Sequence, residues 1–174
     1  TSIVWVRVTE IDANDDHFFM DYGNLEADDA QDSGAVWEDH YIGVWHLADN
    51  PDGDVVRDST SNGFDGMFSD GHDIASSDAA VGLGMTFDGS DRIIVPEDDA
   101  FDLTTEVTVE GWVNPVAPAA SYRAILEKQL GNSPYTLQAS SCCTQITTFT
   151  VRNQGNLAVN AATQEHVPGG EWSY

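Results

Sequence analysis

Basic residues are scarce in this chain. Its 174 residues include 6 Lys and Arg against 30 Asp and Glu, a net charge of −24, and Lys128 is the only lysine. Nucleic acid is therefore a poor partner, because phosphate binding needs a basic patch and these cations do not cluster. An anionic membrane surface would repel the chain as well. No apolar run approaches the roughly 18 residues of a membrane-spanning helix, so no membrane insertion is expected. Thr1 opens in mid-pattern, without the basic and apolar regions of a signal peptide, which reads as a mature or excised segment. Cysteine is limited to Cys142 and Cys143. Neighbouring Cα atoms lie about 3.8 Å apart, below the usual disulfide span of about 4.4–6.8 Å. The pair reads as two thiols, as a bond to a partner beyond this chain, or as a strained vicinal disulfide.

The acidity that is present has two readings. Carboxylates keep a surface hydrated in concentrated salt, where ions screen their self-repulsion. Alternatively, some of them converge on divalent cations. Apolar stretches are short, rich in β-branched and aromatic residues, and bounded by Gly, Asp, Asn or Pro, the pattern of strands joined by turns. Val4, Val6 and Val8 alternate on one face of the first run, and Phe18, Met20 and Tyr22 share a face in the next. Residues 25–40 are acidic and small-residue rich, a short helix or a linker, and place a domain boundary near residue 40. Further strands are expected over 41–47, 84–87, 92–95, 107–113, 123–126, 135–137 and 148–151. The fold class is all-β: an antiparallel sandwich or jelly roll with an N-terminal β segment.

Several sequence words then occur in a fixed order: Gly43-Val44-Trp45-His46-Leu47, Asp58 to Gly66, Phe87-Asp88-Gly89 running to Pro96, Phe101-Asp102-Leu103, and Val107 to Pro115. Together they resemble the laminin-G-like, concanavalin-A-like lectin/glucanase modules of secreted prokaryotic proteins, over about residues 41–174. Gly169 to Tyr174 resembles the start of a further strand of that family, after which such domains continue, so the jelly roll is expected to be incomplete at its C-terminus. Residues 1–40 resemble the end of a small β domain that precedes such modules, plus a linker. The resemblance implies a non-catalytic carbohydrate-binding module of an extracellular or cell-surface protein, with a structural calcium ion near the 58–66 turn. Its partner would be a glycan or surface polysaccharide. The alternative is a structural or adhesive module of a surface assembly, whose partners would be other copies of the same protein. A glycoside hydrolase is the third and weakest reading.

Asp58 and Asn62, with Asp65 behind them, are the candidate metal ligands, since carboxylate and carbonyl oxygens in a glycine-bearing turn suit a hard cation. The same residue types also hydrogen-bond their own turn backbone, which is the alternative. For sugar contact the candidates are Tyr122 and Tyr135, with Asn153 and Gln154 in an amide-rich stretch. Glu10-Ile11-Asp12-Ala13-Asn14-Asp15 is similar to the Glu-x-Asp-x-x-Glu strand of laminarinase-type glucanases, but its last carboxylate is one methylene short and it falls in a turn. No catalytic residues are assigned. Asp49 to Asp54 lacks the spacing of a calcium-binding EF-hand loop and reads as a solvated loop. His46 is expected as a hydrogen-bonded residue of the sandwich.

Overall fold

The computed structural model describes residues 3–12, 15–37, 40–116, 123–128, 134–140, 146–152 and 158–174. The chain divides into two compact units, Thr1–Pro96 and Glu97–Tyr174. Both are built from antiparallel sheets, and the only helical pieces among the described residues are a single turn at Ser33–Val36 (α1) and a 3-10 turn at Asp99–Phe101. Asp32 caps α1, its carboxylate accepting from the Ala35 N–H, as the acidic stretch before residue 40 allows.

In the first unit, β1 (Val55–Val56), β2 (Gly66–Phe68) and β5 (Ile93–Ile94) form one sheet with β2 in the middle. Val56 is fully buried and pairs with Gly66. A side chain at Gly66 has no room, because its Cβ would lie 2.5 Å from Ile93 Cγ2 on the neighbouring strand. Gly66→Val is therefore expected to cost about 1–3 kcal/mol through overpacking, read as a lower denaturation midpoint. A Gly66→Val protein as stable as the parent would contradict this packing. β3 (Ala75–Asp78) and β4 (Leu83–Thr86) form a hairpin. Its tip closes through Ala79 N–H to Gly82 C=O at 2.9 Å, with Gly82 at φ +69°, a conformation glycine adopts without strain.

The second unit is a four-stranded meander of β6 (Arg123–Lys128), β7 (Tyr135–Ser140), β8 (Ile146–Arg152) and β9 (Ala158–His166) in sequence order. Among its described residues Tyr135, Thr136, Ala139 and Lys128 are buried. Val113 and Ser173 exchange two backbone hydrogen bonds, 2.9 and 2.8 Å.

Four stretches with strand-like sequence form no extended ladder among the described residues. Residues 41–47 are tied instead to the following turn, since the Val44 N–H goes to the Asp58 carboxylate and its C=O accepts from Ser59 N–H. Among the described residues, 107–113 pair through Val113 alone. Ile3 to Ile11 and Phe18 to Tyr22 carry alternating apolar residues but no described strand lies beside them. A strand pattern is realised as sheet only where a neighbour takes its backbone groups.

Candidate functional site

Asp58, Asn62 and Asp65 do meet in one turn of the first unit. Asp58 Oδ1 accepts from Val44 N–H and Thr60 N–H, both 2.9 Å; Oδ2 accepts from the Thr60 hydroxyl at 2.7 Å and Phe64 N–H at 3.0 Å. Asp65 Oδ1 accepts from the Asp58 N–H at 2.8 Å, and Asn62 Nδ2 donates to the carbonyls of Tyr41 and Ile42. Trp45 Nε1 donates to Phe64 C=O at 2.9 Å, so the indole closes over the same turn. Burial alone would raise the Asp58 pKa, but these four hydrogen bonds outweigh it and hold the carboxyl below the usual range.

This arrangement matters for the calcium expectation. A carboxylate has about four accepting sites, and all of Asp58's are filled by N–H and O–H groups. A cation there would face the positive ends of those donors. In this geometry Asp58 does not fit a calcium ion; Asp58 and Asp65 accept backbone N–H groups of the turn, while Asn62 ties the turn to the Tyr41 and Ile42 carbonyls.

Tyr135 is only 6% exposed, and its hydroxyl donates to Phe101 C=O at 3.3 Å. Burial lifts its phenol above the usual pKa, Lys128 offsets this in part, and Asp102 and Glu97 add to it. In this position the ring packs the sheet and offers no face to a sugar. Tyr122, Asn153 and Gln154 lie outside the described residues, as do Cys142 and Cys143. Glu10, Asp12 and Asp15 are exposed and lie in no described strand, and the Asp12 N–H donates to the Asp16 carboxylate at 2.8 Å. His46 is held by rings: it stacks on Trp5 at 5.1 Å and lies 5.5 Å from Trp37. Burial lowers its pKa, with Asp49 pulling the other way.

Beside β2 lies an open groove of about 370 Å³ lined by Gly53, Asp54 and the run Met67 to His72. Phe68 forms an apolar wall and stacks on His72 at 4.7 Å. The loop that carries Asp70 is a tight turn, His72 N–H to Ser69 C=O at 3.2 Å, with Gly71 at φ +69°. The His72 Nδ1 atom is buried without a hydrogen-bond partner. Sequence reading passed over these residues, although an aromatic directly before a Ser-Asp-Gly-His turn is a signal for an apolar wall beside exposed acceptors.

Comparison with known proteins finds no matching family model, no matching curated protein and no matching solved structure. Among the described residues no helix is long and apolar enough to cross a membrane.

Proposed function

We propose that this chain is a non-catalytic carbohydrate-recognising module of an extracellular or cell-surface protein, with the jelly-roll architecture that its laminin-G-like sequence words imply. The observation that carries the reading is the groove beside β2, which Phe68 lines together with Asp54 and Asp70. A sugar presents a C–H face that packs on an aromatic ring and hydroxyls that donate to carboxylates. The carboxylates and the net charge of −24 make neutral glycans the matching class, since uronic or sulfated sugars would be repelled. Calorimetric titration with neutral polysaccharides in high salt tests this. Phe68→Ala is expected to weaken binding about tenfold, the loss of one aromatic contact worth about 1–1.5 kcal/mol, read well below the lowered melting midpoint expected on truncating a half-buried ring of the central strand. Absence of binding to any neutral glycan, or binding indifferent to both Phe68→Ala and Asp70→Ala, would overturn it.

A further inference from the structure

The aromatic wall of the groove beside β2 already carries another ring. The His72 imidazole lies over Phe68, with centroids 4.7 Å apart and planes 30° from parallel, and both residues line the groove. Atoms stacked on an aromatic face sit about 3.5–4.0 Å from it, so no sugar fits between two planes at this spacing. The face of Phe68 that His72 covers is closed to a ligand for as long as the imidazole stays.

The imidazole is held there weakly. Its Nδ1 atom is buried and has no hydrogen-bond partner among the described residues. Taking a polar nitrogen out of water without a replacement hydrogen bond costs about as much as one aromatic pair contributes. The stacked position is therefore nearly balanced against one in which the ring turns outward and its nitrogens return to water. Solvent is close, because the residue is half-buried and the groove is open.

The backbone beneath the two rings is fixed. Phe68 pairs with Ile93 in the sheet, and Ser69 N–H donates to the Arg92 carbonyl at 3.0 Å. On the other side of His72, Asp73 N–H donates to the Asp91 carboxylate at 2.9 Å, and Ile74 is buried. The loop is thus tied to residues 91–92 at both ends, which leaves the His72 side-chain rotamer as the element that can change. Resting on the carbohydrate reading above, we propose that His72 is a displaceable cover on the sugar-stacking face of Phe68. The C–H face of a neutral sugar takes the imidazole's place on the ring, and the exposed carboxylates of Asp54 and Asp70 accept its hydroxyls. Sugar and imidazole compete for one face, so the affinity is lower than an uncovered groove would give.

The test is calorimetric titration of the whole chain in high salt with neutral oligosaccharides of glucose, galactose and mannose. The parent is compared with His72→Ala and His72→Phe, each first shown to melt cooperatively. His72→Ala removes the competing ring and is expected to bind about three- to tenfold more tightly than the parent. His72→Phe keeps a ring over Phe68 without the unpaired nitrogen and is expected to bind at least about threefold more weakly. In a Phe68→Ala background neither substitution is expected to change the affinity, because the face they compete for is gone. Binding that still depends on Phe68 but is unchanged or weaker in His72→Ala, or unchanged in His72→Phe, would overturn the cover and leave the carbohydrate reading standing. Equal effects of the His72 variants with and without Phe68 would overturn it as well. Absence of binding to every neutral glycan would remove both readings together.

Discussion

Asp58→Ala is expected to destabilise the first unit by about 3 kcal/mol, because three backbone N–H groups and one hydroxyl lose a charged acceptor at once and the part-buried turn hydrates them incompletely. Trp45 reports the event, since its indole N–H is bonded to Phe64 within the turn. Asp58→Asn is expected to be nearly as damaging. An amide keeps one accepting oxygen and turns a pair of donors toward two of the donors that Asp58 now satisfies. The pH dependence has a definite sign. The folded Asp58 carboxyl is held below its usual value, so its contribution is present above the unfolded carboxylate pKa of about 3.9 and is lost as pH falls through the folded one. Asp58→Ala should accordingly show a shallower loss of stability in acid than the parent. Calcium and a chelator are expected to give the parent the same melting midpoint. A calcium-dependent rise, lost in Asp58→Ala, would restore the ion to this turn by mass action.

The strands that sequence reading locates are those whose residues carry their own signal. β4 to β8 fall on the expected strands, most plainly where β-branched or aromatic residues dominate, as in Ile93-Ile94 and Thr148 to Val151. β3, Ala-Ser-Ser-Asp, has no such preference and exists because β4 is folded back against it through the Gly82 turn; tertiary context overrides propensity there. β9 likewise reads as polar and small, and its partner β8 supplies the template. The converse failure is residues 41–47, which are rich in β-branched and aromatic residues but give the Val44 backbone to Asp58 and Ser59. At the site, sequence was sufficient to group Asp58, Asn62 and Asp65 in one turn. It could not tell a cation's ligands from a carboxylate that gathers N–H groups, because both use the same residue types at the same spacing. Tyr135 is expected from sequence to offer a surface ring from the strand at 135–137, whereas it is buried at the start of β7.

The solitary lysine, unremarked as a site from sequence, anchors the most informative charge cluster. The Lys128 side chain is only 5% exposed, and its Nζ lies 2.6 Å from Glu97 Oε1 and 3.0 Å from Asp102 Oδ1, two carboxylates that are each about half exposed. Burial alone would lower the lysine pKa; hydrogen bonding and attraction to Glu97 and Asp102 more than reverse this. The unequal burial predicts an unequal response. Lys128→Met keeps the aliphatic packing and leaves two carboxylates that water can reach, so it is expected to cost only about 1 kcal/mol. Glu97→Gln with Asp102→Asn leaves an ammonium buried without a counter-charge, at about 3 kcal/mol. Alkaline titration separates this account from a merely steric one. In the parent the folded lysine pKa is raised, so its stabilisation is complete below the unfolded value of about 10.4 and fades as pH rises through the folded one. In the double variant the folded pKa falls below the unfolded one, so stability should increase as pH rises toward 10. The buried Tyr135 phenol also titrates in this range, so both proteins are compared in a Tyr135→Phe background. Opposite slopes of denaturation midpoint against pH support the charge clamp; parallel slopes would show that Glu97 and Asp102 hold Lys128 by shape alone.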